Sequence, residues 1–209
     1  LSRRPDATES YTRPRAVLDF IEGHPGINWN LRELPDPPTC ARSLGDVLEN
    51  LPPGDAAWWS EDRAAYLLSQ MSPKHRAIAD AMIASKDVSH GAVFRRMRRE
   101  GTRAELRTDG LAGCLRTPRG GSARQILFQA GQGRYAARLL TGRECARLMG
   151  ADDYHLSGTL NQALFGFGDA VCVPVIEWIA RYYLDPVVNE LLRGVALRGG
   201  SASAETPGQ

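Results

Sequence analysis

Residues 113 to 125 read GCLRTPRGGSARQ, a stretch in which Arg116, Arg119 and Arg124 surround the pair Gly120–Gly121 with no acidic or aromatic residue among them. Each guanidinium presents a planar fork of N–H donors that fits a phosphate or the edge of a guanine. The glycines open backbone angles closed to other residues and let a partner approach the main chain. Thr117 and Ser122 add hydroxyls. The chemistry on offer is the binding of a polyanion, although the same residues also suit a solvated glycine turn.

The charge pattern around this loop favours the first reading. The chain carries a net charge of only +2, yet residues 95 to 124 hold nine arginines against Glu100, Glu105 and Asp109, a local charge of +6. Lys74 and Lys86 are the only lysines, so almost all positive charge sits on the residue suited to two parallel hydrogen bonds. Such a block is either a solvated face or a nucleic-acid surface, and the accompanying glycines and hydroxyls point to the second.

Other chemistries are poorly represented. Cys40, Cys114, Cys145 and Cys172 form no Cys-x-x-Cys, and His24, His75, His90 and His155 are equally scattered. Neither a zinc site nor a disulfide framework is expected. No apolar run is expected to reach the roughly 20 residues that span a bilayer, and LSRRPDATES has no signal-like apolar segment. A cytoplasmic protein is expected. The chain begins with Leu rather than Met, which fits a piece of a longer polypeptide.

The elements that must position the arginines can be outlined. Residues 1–58 contain eight of the thirteen prolines and suggest an extended connector, with Ser43 capping a brief helix through Leu44, Val47 and Leu48. Helices are predicted from Glu61 to Gln70 and from Pro73 to Ser85, the second with proline in the permitted first turn. From Val93 the pattern changes to short extended runs, VFRRMR, RAELR, AGCLR and QILFQA, separated by glycine turns. They imply a small antiparallel sheet whose loops carry the charge. In TGRE, Thr141 and Glu144 can form a capping box opening a helix that stops at Gly150. A last helix runs through VPVIEWIARYYL, and the tail RGGSASAETPGQ has a disordered composition.

RLLTGRECARLMGADDYHL (138–156), followed by NQALFGFGDAVCVPVIEWIA (161–180), resembles the last two conserved blocks of the bacterial DNA cytosine-5 methyltransferases. Arg138, Leu140, Thr141, Arg143, Glu144, Arg147, Leu148 and Gly150 match the first block, with Ala151 and Asp152 in place of its usual Phe-Pro. Gly168, Asp169, Ala170, Val171 and Pro174 match the second. The segment RAELRTDGLAGCLRTPRGGSARQ is similar to the target-recognition region of one branch of that family. The resemblance therefore implies double-stranded DNA as partner and S-adenosylmethionine as cofactor, with no metal. It also implies recognition loops in the major groove and a flipped cytosine.

On this resemblance Arg95, Arg96 and Arg98 become phosphate clamps, and Arg116, Thr117, Arg119, Gly120, Gly121, Ser122 and Arg124 the recognition loop. Asp169, Ala170 and Val171 would line one side of the cofactor pocket. Arg138, Glu144 and Arg147 would hold their own block together by capping and ion pairing. The family's Pro-Cys, Glu-Asn-Val and Phe-x-Gly-x-Gly motifs do not occur in the sequence, so no residue is assigned as catalytic. The expectation is an α+β fold: a small irregular antiparallel target-recognition domain flanked by helices, with C-terminal helices that dock on a missing Rossmann-like catalytic domain. The expected divisions are a proline-rich connector (1–58), a target-recognition domain (59–137), a C-terminal helical segment (138–193) and a disordered tail (194–209). The chain would be the DNA-recognition portion of such a methyltransferase, inactive alone, with the complementary N-terminal catalytic half supplied in the same polypeptide or as a separate subunit. The alternative is a non-enzymatic, sequence-specific DNA-binding protein derived from such an enzyme. No membrane association is expected, and the location would be the cytoplasm of a bacterium, at the nucleoid.

Overall fold

The computed structural model describes residues 8–39, 41–99, 101–117 and 124–199. They fall into two compact units, Ala41–Val173 on one hand and Leu1–Cys40 with Pro174–Gln209 on the other.

The larger unit is built on an antiparallel sheet of β1 (Ser89–Arg98), β2 (Gly101–Arg107), β3 (Ile126–Gly131) and β4 (Arg134–Leu139), in the order β2-β1-β3-β4. Side chains alternate between its faces. Val93, Phe128 and Ala137 turn to one face, where α3 (Glu61–Ser69) and α4 (Pro73–Ala84) contribute Leu67, Leu68, Ala79 and Met82. Ala92 and Leu127 turn to the other and meet α2 (Leu44–Val47), α5 (Gly142–Leu148) and α6 (Leu160–Asp169) through Val47, Cys145, Leu164 and Phe167. Each such Leu or Phe contributes about 1.5–3 kcal/mol by leaving water, so the sheet is stabilised by helices on both sides.

Both sheet edges are covered. Along β4, Trp58 forms a bridge with Arg138 and Trp59 N donates to the carbonyl of Ala137 at 2.9 Å. Along β2, Ala104 N donates to the carbonyl of Gln70 at 3.0 Å, and Leu106 N to Nδ1 of His75 at 3.2 Å. The edge groups are thereby withdrawn from pairing with another chain. The adjacent residues Trp58 and Trp59 pack into different cores, one on each side of the sheet.

The strands differ from expectation in two places. AGCLR is not a strand. Gln125, buried beside it, accepts from Gly113 N at 3.0 Å and donates to the Cys114 carbonyl at 3.3 Å, so a side-chain amide satisfies groups that a ladder would otherwise pair. The fourth strand is instead β4, reached by a two-residue turn in which Gln132 and Gly133 have φ of 57° and 74°. Positive φ at both central positions is the geometry that matches strand twist.

The smaller unit holds α1 (Arg15–Gly23), a helix in the segment expected to be extended, together with α7 (Val173–Ile179), a π-helical turn (Ala180–Leu184) and α8 (Asp185–Gly199). Arg32 forms a two-pronged pair with Glu190 at 3.1 and 2.7 Å, and the Tyr183 hydroxyl donates to the carbonyl of Asn30 at 3.2 Å. Pro186 has no N–H to offer the carbonyl four residues earlier, and the widened turn lies just before it.

Several expectations are corrected here. Helices precede and follow the sheet within this chain, and α5 and α6 bury their apolar faces against it rather than awaiting a missing domain. Residues 41–58 and 138–173 fall in the same compact unit as the sheet. Residues 194–199, assigned to a disordered tail, continue α8. Leu160–Gly194, 35 residues long, does reach the length and apolarity of a bilayer-crossing helix. Its first segment, however, buries Leu164 and Phe167 in the sheet unit, and the helix is interrupted at Ala170, whose ψ of 163° is extended.

Candidate nucleic-acid interface

β1 pairs with β3 only from Ser89 to Val93, but with β2 from Ala92 to Arg98. Beyond Val93 the β1–β2 hairpin therefore continues as a two-stranded ribbon, and it bears Arg95, Arg96, Arg98, Arg99 and Arg103. The structure brings together only part of the predicted clamp. Arg96 and Arg98 share a face and a single carboxylate, that of Glu105, at 3.4 and 3.0 Å. Both side chains stay more than half exposed, at 55% and 53%, so the pairing leaves them accessible. Arg95 lies on the opposite face, half-buried, against Trp59. The signal was present in the sequence, since neighbours on a strand must point to opposite sides.

Of the predicted recognition loop, Arg119, Gly120, Gly121 and Ser122 lie outside the described residues. Arg116, Thr117 and Arg124 show how the loop is anchored. On one side the Thr117 hydroxyl donates to the carboxylate of Asp169, and the backbone of Arg116 and Thr117 lies so close to Gly168 that a Cβ there would collide with it. On the other, Arg124 Nη2 donates to Oδ1 of Asn161 at 3.0 Å. Asn161 begins α6, while Gly168 and Asp169 end it. The loop is thus pinned at both feet on the two ends of one helix. That helix starts from a capping box in which Thr159 Oγ1 accepts from Gln162 N at 3.3 Å and Gln162 accepts from Thr159 N at 2.8 Å. Asn161, Gln125 and Gly113 were not singled out from the sequence. Their roles depend on contacts between distant segments, which no local pattern encodes.

The end of α6 also borders a cavity of about 460 Å3 lined by Met149, Tyr154, Leu156, Phe167, Ala170 and Val171 among others. Tyr154 and Phe167 meet edge to face, with ring centres 6.0 Å apart. Two of the three predicted cofactor residues, Ala170 and Val171, line this space. Asp169 does not, its carboxylate being engaged with Thr117.

The block from 138 to 150 braces this arrangement. Arg138 and Glu144 are 1% and 0% exposed and form a two-pronged pair at 2.7 and 2.5 Å. Glu144 also accepts from the backbone N of Glu49 and of Thr141, each at 2.8 Å. Arg147 donates to the carbonyl of Val47 at 3.0 Å. Burial pushes the Glu144 carboxyl upward, but the Arg138 pair and the two backbone donors outweigh it and hold the group below its ordinary value. Beside it, burial and then the Glu144 charge push the Cys145 thiol up to about 12, which makes it a core side chain and a poor nucleophile.

Among the described residues, no group of three or more His, Cys, Asp and Glu side chains could hold a metal. No curated protein and no solved structure matches the chain. The family model described as C-5 cytosine-specific DNA methylase matches residues 19–184, the greater part of the 209 residues. The match takes in α2, α3 and α4 before the sheet and α5, α6 and α7 after it. It overturns the expectation that only a C-terminal part is present, and with it the expectation of an inactive portion whose catalytic half is supplied elsewhere. Methyl transfer from S-adenosylmethionine and action on DNA are the properties of that family. The chain belongs to the C-5 cytosine-specific DNA methylases.

Proposed function

We propose that residues 41–173 of this cytosine-5 methylase grip duplex DNA, with the work divided between the ribbon and the loop on α6. Arg96 and Arg98 bind phosphates and set the register. Arg116 and Arg119, with Gly120, Gly121 and Ser122, read base edges, and Thr117 and Arg124 hold the feet of that loop. The observation that carries this reading is the anchoring of the loop on both ends of α6. A recognition segment fixed at its feet is costly to misplace. The ribbon matches in width what a major groove admits.

The cavity beside Ala170 and Val171 fits part of S-adenosylmethionine, whose methyl group is carried on a sulfonium cation. Its apolar wall and the Tyr154–Phe167 corner suit a nucleobase face or that cation. Thr117 joins the recognition loop directly to the turn that begins this wall.

Binding of the full chain to a fluorescent duplex at two salt concentrations tests the reading. Affinity should fall steeply with salt, and Arg96→Ala should reduce the slope by about one. A chain that binds no duplex at low salt, or whose binding ignores salt, contradicts it.

A further inference from the structure

On the α3–α4 side of the sheet, two guanidinium groups pack on one indole. Arg63 lies 4.0 Å and Arg95 5.7 Å from the centre of the Trp59 ring. Other arginines of this unit have carboxylate partners: Arg76 pairs with Asp80, Arg107 with Asp109 and Arg138 with Glu144, while Arg96 and Arg98 share Glu105. Arg63 and Arg95 have no ion pair or hydrogen bond among the described residues, and Nε of Arg95 is buried without a partner. Burial first, and then the charge of Arg63, lower the affinity of Arg95 for its proton. A desolvated cation beside a like charge is costly unless an anion joins it. The indole face offsets only part of that cost, roughly 0.5–2 kcal/mol.

We propose that Arg63 and Arg95, held on Trp59, form a phosphate site for the DNA backbone, separate from the recognition loop. It rests on the reading of this unit as DNA-binding. Both guanidinium groups lie within about 6 Å of the same ring centre, and two such forks suit a tetrahedral oxyanion with several acceptor oxygens. Arg95 directly precedes Arg96 on the ribbon, so the site occupies the opposite face of the hairpin that carries the proposed clamp. Tyr66, exposed on α3, adds an amphipathic rim.

The test compares the full-length chain with Arg63→Gln and Arg63→Lys, Arg63 being exposed and outside the core. Each is titrated with labelled duplex at several salt concentrations, and each is melted with and without inorganic phosphate. Arg63→Gln should weaken binding to all duplexes alike by several-fold and reduce the salt slope by about one, with Arg63→Lys restoring most of the slope. Phosphate should raise the melting temperature of the wild type more than that of Arg63→Gln. If the wild type binds duplex but Arg63→Gln leaves affinity and slope unchanged, the backbone assignment is overturned while DNA binding stands. If no duplex binds yet phosphate stabilises in an Arg63-dependent way, the DNA reading fails and the site is one for free phosphate. If neither ligand responds to Arg63, the site is overturned altogether.

Discussion

Replacing Glu144 by Ala should unfold this protein far more readily than any surface change. The carboxylate is wholly buried and accepts from Arg138 at 2.7 and 2.5 Å and from the backbone N of Glu49 and of Thr141 at 2.8 Å each. Its removal leaves the Arg138 guanidinium, 1% exposed, as an uncompensated buried charge, a loss of about 3–5 kcal/mol. The capping box of α5 is lost as well, worth about 1 kcal/mol. For a chain of this size each kcal/mol moves the melting temperature by roughly 2–4 °C. Urea denaturation and thermal melting near pH 7 measure the effect. The pH dependence adds a second check. The folded-state pKa of Glu144 is lowered, so its contribution is fully present above the ordinary Glu value of about 4.3 and is lost as pH falls through the lower folded value. The gap between wild type and Glu144→Ala should therefore close in strong acid. A loss under about 1 kcal/mol at neutral pH, or a gap that widens with acid, would refute the reasoning. A double replacement, Arg138→Met with Glu144→Leu, should recover much of the loss because it leaves no unpaired charge.

Gly168→Ala should displace the foot of the recognition loop, because the new Cβ meets the backbone of Arg116 and Thr117. A cost of about 1–3 kcal/mol in stability, or a shifted loop with weakened sequence preference, is expected from such a collision and is visible by melting and duplex competition. Thr117→Val removes the hydroxyl that joins the loop to Asp169. It should leave the melting temperature within about 2 °C, a surface-sized effect, while reducing discrimination between duplexes. Cys114, exposed, should react with a thiol reagent in the native protein, whereas Cys145, buried and with its thiol pushed up to about 12, should react only on unfolding. Native labelling of Cys145 would contradict the assignment of α5 to the core.

The helices were legible where a cap and an apolar stripe coincide. Pro73 in the first turn marks α4, and Thr141 with Glu144 opens α5, because these signals act within one turn. The sheet was half legible. Alternation located β1 to β3 but assigned a strand to AGCLR, since nothing local reveals that Gln125 will satisfy Gly113 and Cys114 from across the loop. Arg95, Arg96 and Arg98 look alike as a run of charge. Only strand geometry separates a half-buried arginine on Trp59 from two that share Glu105. The family was legible in the two patterned blocks late in the chain, but how much of its domain the chain carries was not, because the Pro-Cys, Glu-Asn-Val and Phe-x-Gly-x-Gly motifs do not occur in the sequence.

The division of labour between ribbon and loop is tested most directly by selecting from a library of duplexes with the wild type, Arg96→Ala and Arg119→Ala at two salt concentrations. The account predicts that Arg96→Ala weakens every duplex alike and flattens the salt dependence by about one unit of slope. Arg119→Ala should instead cost about 1–3 kcal/mol on the preferred sequence alone and relax preference at one base position. Equal weakening of all sequences by Arg119→Ala would show that the loop only cradles phosphate, and would contradict the central claim.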